Sequence, residues 1–280
     1  MDIQTVHAVW FSPTGATQRV VSHLAACLGD ALAVPVREHS LNTPRDREDA
    51  LSFAPTDLVV LGVPVYAGRV PNRLLPYLRD SVFGNGAPAV PVVLYGNRDF
   101  DDALIELRNG MHINGFHPIA AGAFVGQHAF SSVLAAGRPD GDDLALAADL
   151  ARQTARLVQA LDAAPAQPVA VDGHDPIRPY YIPRDRHGEP IRDFLKAKPV
   201  TDLSRCTRCG LCVRLCPTGA IDPRDVSCVT GTCIKCCACV KRCPRGAKSF
   251  DHEGFLYHAR QLEDQYAARR APSRTFLYRP

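Results

Sequence analysis

Residues 3–17 read Ile-Gln-Thr-Val-His-Ala-Val-Trp-Phe-Ser-Pro-Thr-Gly-Ala-Thr. The first nine, Ile3 to Phe11, are apolar and rich in β-branched and aromatic side chains, which suits a strand buried on both faces. The run stops at Ser12-Pro13-Thr14-Gly15-Ala16-Thr17, after which Val20, Val21, Leu24 and Leu28 recur at helical spacing. A strand, a hydroxyl-rich turn and a helix start together make an anion site. Free amides and Ser/Thr hydroxyls converge where the helix dipole favours negative charge. No lysine completes a Walker loop and Gly-x-Gly-x-x-Gly is missing, so ATP and NAD fit poorly. A phosphate monoester held without any cation suggests FMN, with Ser12, Thr14, Gly15, Ala16 and Thr17 as its cradle.

The alternation continues down the chain. Ala33 to Glu38 can form a second strand and Asp57 to Val65 a third. The third runs into Tyr66-Ala67-Gly68-Arg69-Val70-Pro71, and Pro71 suits the first turn of a helix through Leu74, Leu75 and Leu78. Ala89 to Leu94 is a fourth strand, followed by Tyr95-Gly96-Asn97-Arg98-Asp99-Phe100 and a helix carrying Leu104, Ile105 and Leu107. Ile119 to Val125 is a fifth, leading to Gly126-Gln127-His128, and an amphipathic helix over about 142–161 closes the unit. Five strands alternating with helices predict an α/β fold with a doubly wound parallel sheet. Ligands of such sheets bind beyond the C-terminal strand ends, where the glycine-bearing loops lie. Pro64, Val65, Tyr66, Ala67 and Gly68, with Tyr95, Gly96, Asn97, Arg98 and Phe100, are the candidate contacts to a flavin ring. Tyr66, Tyr95 and Phe100 offer flat faces, while Gly68 and Gly96 allow close approach and peptide rotation. His128 is the candidate proton donor; a hydrogen-bonded loop histidine is the plainer reading. Trp10 is expected in the core.

A second pattern starts at Cys206. Cys206-x-x-Cys209-x-x-Cys212-x-x-x-Cys216-Pro217 is followed by Cys233-x-x-Cys236-x-x-Cys239-x-x-x-Cys243-Pro244. Three thiolates at intervals of three residues wrap one face of an iron–sulfur cube, and the fourth ligates the other cube. The expected sets are Cys206, Cys209, Cys212 and Cys243 for one [4Fe–4S] cluster, and Cys233, Cys236, Cys239 and Cys216 for the second. Zinc needs four ligands, usually as two separated pairs, so a third cysteine in each run is surplus to it. Disulfides are not expected, because the N-terminus carries no export signal and the cysteine usage suits a reducing cytoplasm.

The cysteine stretch resembles the bacterial two-cluster ferredoxins, and Ser12–Thr17 resembles the first loop of flavodoxins. Tyr95-Gly96-Asn97-Arg98 is similar to a run found in flavodoxin-like flavoproteins. Together these resemble the flavodoxin–ferredoxin fusion family, in which an FMN domain is joined to two [4Fe–4S] clusters. The resemblance implies an electron-transfer flavoprotein that exchanges electrons with a redox protein. An FMN-dependent reductase of a small-molecule substrate, fed through the clusters, is the alternative.

The chain has 280 residues and 46% hydrophobic content, enough for one medium domain and one small one. The expected division is 1–165 for the FMN domain, 166–199 for a proline-rich linker, 200–250 for a small α+β cluster domain, and 251–280 for a helix and tail packed on the body. No apolar run approaches the roughly 20 residues that cross a bilayer. Residues 1–165 carry 12 Lys/Arg against 17 Asp/Glu, 166–250 carry 15 against 8, and 251–280 carry 5 against 4. Two clusters, each about −2 when oxidised, offset much of the surplus in 166–250, so the basic residues are read as cluster compensation and a possible docking surface, and a nucleic-acid partner is not expected. Cys27, Cys228 and Cys237 fall outside the motifs, and oligomeric state stays open.

Overall fold

The computed structural model describes residues 1–279. In its first part, β1 (Thr5–Trp10) leads to α1 (Ala16–Leu32), β2 (Val36–Ser40), the two-residue β3 (Leu51–Ser52), β4 (Asp57–Pro64) and α2 (Leu75–Ser81). There follow β5 (Val82–Phe83), β6 (Pro88–Tyr95), α3 (Ala103–Ile113), β7 (His117–Pro118), β8 (Ala120–Val125) and α4 (Gly141–Ala160). The small second part holds β9 (Val200–Thr201), α5 (Leu211–Arg214), α6 (Ala238–Lys241) and β10 (Lys248–Ser249), and the chain ends with α7 (Glu253–Tyr266) and β11 (Arg274–Leu277).

The main sheet has the order β11-β8-β6-β4-β1-β2, with β7 paired to the start of β6. Its five long alternating strands are parallel, as expected, in the order 2-1-3-4-5 that defines the flavodoxin-like doubly wound class. The tail does more than pack on the body. It runs antiparallel along β8, pairing Arg274 with Ala123 and Leu277 with Ala120, and so covers an edge whose amides would otherwise be unpaired. The second strand begins later than its composition suggests, at Val36, because Ala33 closes α1 in a left-handed conformation. Pro71 likewise sits in a turn ahead of α2, which begins only at Leu75.

Two apolar layers sandwich the sheet. α1 and α4 cover one face through Val20, Val21, Leu24, Leu28, Leu150 and Val158, with Trp10 buried among them. The other face packs Val59, Leu61, Val93, Phe100, Leu104 and Phe116. Gly62 in β4 brings α1 close: a Cβ there would lie 2.3 Å from Val21 Cγ2 and 3.0 Å from Thr17 Cγ2. α4 starts on a capping box in which the Asp140 carboxylate accepts from the Asp143 amide and Asp143 accepts from the Asp140 amide.

The proline-rich stretch is pinned to the sheet's C-terminal end. Asp102 accepts from the His174 and Arg178 amides at 3.1 and 2.9 Å and pairs with the Arg178 guanidinium. Tyr180 donates to Val70 O at 2.9 Å, and the Tyr181 amide donates to Ala67 O at 2.8 Å. The second part docks at the same end. Arg47 Nη2 donates to Pro217 O at 2.6 Å and Lys241 donates to Ser131 O, while Phe255 of α7 meets Phe130 at a tilt with ring centres 4.6 Å apart. No helix among the described residues is long and apolar enough to cross a membrane.

Candidate functional site

The cysteine motifs fold into two copies of one local structure, offset by 27 residues. The Arg208 and Lys235 amides donate to Cys206 and Cys233 Sγ, both at 3.4 Å, and both residues have φ 55°. The Ala220 and Ala247 amides donate to Cys216 and Cys243 Sγ at 3.2 and 3.3 Å. Gly210 and Cys237 occupy matching left-handed positions ahead of α5 and α6. Cys237 therefore caps a helix and packs against Phe250 and Phe255, a role invisible in the motif itself.

Each copy sends its last cysteine to the other. Cys206, Cys209, Cys212 and Cys243 line one pocket. Cys216, Cys233, Cys236 and Cys239 line a second, and Cys239 also borders the first. Among the described residues, no three His, Cys, Asp or Glu side chains converge closely enough for a single ion; the cysteines surround spaces. Burial pushes the Cys236 and Cys239 thiols up to about 12, so their thiolates require a cationic partner inside the cavity. An iron–sulfur core supplies that charge, and amide donors to sulfur are the contacts that tune it. The second cavity is the deeper one, with Cys236 buried, whereas Cys209 of the first is exposed.

The first sheet loop fits an anion. Gly15 caps α1 with φ 98°, and a Cβ added there would meet nothing within 4 Å. Ser12 Oγ accepts from the Gln18 amide at 2.9 Å, and the Ser12 amide donates to Asn42 Oδ1 at 2.5 Å. The amides of Thr14, Ala16 and Thr17 have no acceptor among the described residues. Unpaired donors at the start of a 17-residue helix are what a phosphate group would satisfy. This loop also lies where the sheet order reverses, between β1 and β4.

The second loop is a tight turn. Tyr66 and Arg69 exchange amide-to-carbonyl bonds of 2.9 and 3.1 Å across Ala67 and Gly68, whose φ values are 51° and 77°. Gly68 O accepts from the Asp102 amide at 3.1 Å, so this peptide is tied down and not free to rotate as its glycine suggested. Tyr66 keeps partial solvent access, yet burial pushes its phenol well above the ordinary value, with Cys236, Cys237 and Cys233 adding to the rise. It packs against the same apolar layer as Ile234 of the second cysteine loop. His128 is alike: partly accessible, but held by burial at a pKa of about 4, with His258, Lys241 and Arg98 adding. Its Nδ1 accepts from the Phe130 amide at 3.1 Å, leaving the proton on Nε2. A neutral imidazole of that pKa offers a hydrogen bond from Nε2, the plainer of the two roles expected for it.

The third loop departs furthest from expectation. Tyr95 and Phe100 are buried in the apolar layer opposite α1 and α4, 5% and 4% exposed, and Tyr95 donates to Pro272 O at 2.6 Å; neither offers a free face for stacking. Asn97 is turned to the C-terminal segment, donating to Tyr266 O and Arg269 O at 2.7 and 2.9 Å and accepting from the Ala271 amide at 3.1 Å. Arg98 pairs with Asp101 and lies over the Tyr181 ring, 4.8 Å from its centre. Gly96 approaches a side chain of this protein: a Cβ there would sit 2.3 Å from His128 Cδ2, so the glycine lets the imidazole lie on the backbone. Pro64 and Val65 are half-buried at the end of β4, and Ala67 is exposed.

Strand order and cysteine geometry define a doubly wound α/β sheet joined to a small iron–sulfur module. Residues 199–222 match the family described as 4Fe-4S binding domain. The chain thus joins a sheet of flavodoxin-like strand order to a 4Fe-4S segment. No curated protein matches it. Among solved structures it is similar to a flavodoxin from the domain Archaea, at 13% identity over 56% of this chain and 99% of that one, with a TM-score of 0.39. It is also similar to the flavodoxin of Streptococcus pneumoniae TIGR4, at 16% identity, 55% and 99% coverage and a TM-score of 0.37. The rubredoxin oxygen:oxidoreductase of Desulfovibrio gigas is matched at 13% identity over 57% of this chain and 37% of that one, with a TM-score of 0.38. The flavodoxin-like order rests on the strand pairing of the sheet itself.

Proposed function

We propose that the protein is an electron-transfer iron–sulfur flavoprotein. Cys206, Cys209, Cys212 and Cys243 would hold one [4Fe–4S] cluster, and Cys233, Cys236, Cys239 and Cys216 the other. Ser12, Thr14, Gly15, Ala16 and Thr17 would hold the phosphate of FMN, with Pro64 to Gly68, Gly96 and His128 bordering its ring. Bound there, FMN accepts electrons singly or in pairs, whereas each cluster passes one at a time.

The single observation that carries this reading is the docking of the second cysteine half on the sheet. Ile234 and Tyr66 pack against the same apolar layer as Phe100 and Leu104, which brings the second cysteine loop against the second sheet loop. Cys209, by contrast, faces solvent. That order supports a wire running from an external redox protein through the exposed cluster and the buried one to the flavin loops. The turn at Tyr66–Arg69 would fix one wall of the ring site, and the imidazole of His128, with its proton on Nε2, would donate a hydrogen bond there. Exposure of Cys209 at the surface, where a redox protein can reach the first cluster site, favours the carrier over a reductase of small molecules.

Anaerobic flash reduction tests this reading. Internal exchange between cluster and flavin absorbance is expected, and Cys239→Ser should abolish it while leaving flavin bound. Flavin reduction that proceeds identically in the variant would count against the proposal.

A further inference from the structure

We propose that the surface around the exposed cluster is a docking site for an acidic one-electron carrier protein, a step that rests on the cluster reading above. Arg205, Arg208, Arg214, Arg242 and Arg245 are all exposed, and Arg208, Arg242 and Arg245 line the Cys206–Cys209–Cys212–Cys243 cavity, with no Asp or Glu among its lining residues. Arg214 donates to Cys209 O at 3.1 Å, and the Arg205 guanidinium reaches over Gly246, where an added Cβ would lie 2.8 Å from Nη2. The collar is therefore built onto the two loops that carry the exposed cysteines. None of the five forms an ion pair among the described residues. Asp202 and Asp225 are acidic neighbours, each held below the ordinary carboxylate range chiefly by serine contacts, with Arg205 and Arg208 adding smaller pulls.

Cluster charge does not cancel this surplus. Residues 199–250 hold 9 Lys/Arg and 3 Asp/Glu, a balance of +6. Two oxidised clusters remove about 4 charges, and the surface stays positive. The first 165 residues are at −5 (12 against 17), so the positive field is concentrated on the cluster module. A ring of unpaired guanidiniums around a redox centre steers a negatively charged partner into register and accelerates encounter. In the docked pair one electron leaves the reduced carrier and enters the exposed cluster, or the reverse; no bond forms and no proton moves.

The test uses the full anaerobic protein with an acidic [2Fe–2S] ferredoxin, and a basic cytochrome c as the opposite-charge control. Stopped-flow exchange with the ferredoxin should slow at least about 10-fold as salt rises from low to near-molar strength. Arg208→Glu/Arg245→Glu should slow it by about 10-fold or more at low salt and speed exchange with cytochrome c. Calorimetry should show ferredoxin binding weakening in parallel. Arg208→Gln/Arg245→Gln should fall between the two. Iron and sulfide analysis of the same samples reports on the cluster reading separately. Unchanged iron with salt-insensitive exchange, or equal rates for both carriers, would overturn the docking proposal and leave the cluster assignment standing.

Discussion

Replacing Arg138 with methionine should unlock the C-terminal segment from the sheet. Arg138 Nε donates to Asp143 Oδ2 at 2.8 Å, Nη2 pairs with Asp143 Oδ1, and Nη1 donates to Ala271 O at 2.6 Å. The two side chains are only 6% and 1% exposed. In the variant Asp143 keeps Ser273 Oγ at 2.7 Å and the Asp140 amide at 3.0 Å, but it loses its counter-charge in a place water cannot reach. Stranding one member of a buried pair costs about 3–5 kcal/mol. Adding Asp143→Leu removes the stranded charge, so the double variant should regain most of that, short of about 1 kcal/mol for the lost capping box. Trp10, the single tryptophan, is 4% exposed in β1 and reports unfolding of the sheet by fluorescence. At a urea slope of about 2–3 kcal/mol per M, the midpoint should fall by about 1–2 M in Arg138→Met. Flavin retention should fall too, because Ala271 and Pro272 hold Asn97 and Tyr95 of the third loop. A midpoint within about 0.3 M of the parent, or a double variant no better than the single, would refute the reasoning.

Cys212→Ser and Cys239→Ser should each lower bound iron by about half, from about eight atoms to about four, measured by iron analysis and low-temperature EPR. Gly15→Val places a β-branched residue at φ 98°, which should cost about 1–2 kcal/mol and fill the space over the phosphate loop; FMN should dissociate, read from flavin fluorescence. His128 is neutral when folded, with a pKa of about 4 against an ordinary 6.5. Its contribution is complete above pH 6.5 and is lost as pH falls toward 4, up to about 3 kcal/mol; urea midpoints of His128→Phe should therefore depend less on pH across that window than the parent's. Ala67→Gly relieves a left-handed alanine in the second loop and should raise stability by about 1 kcal/mol, seen as a higher urea midpoint.

The parts read most directly from the chain are local ones. Buried strands such as Asp57–Pro64 are continuous apolar runs, and each cysteine triplet needs only its own loop to be recognised. What escaped depends on partners far away in sequence. Tyr95 and Phe100 look like loop aromatics until Pro272 and the apolar layer opposite α1 and α4 claim them, 177 residues away in the case of the Tyr95 hydroxyl bond. Asn97 has the form of a flavin-loop residue but is used to anchor Tyr266 to Ala271. β11 carries too short an apolar run to announce a strand, and its place follows only from the open edge of β8. Cys237 had no visible role because its left-handed backbone is set by the fold of the cysteine loop, where the first copy has Gly210.

Metal and flavin analysis of protein purified without oxygen tests the central claim most directly. About eight iron, about eight sulfide and one FMN per chain are expected, in coloured material whose visible spectrum bleaches on reduction. A colourless protein containing zinc and no flavin would contradict the account.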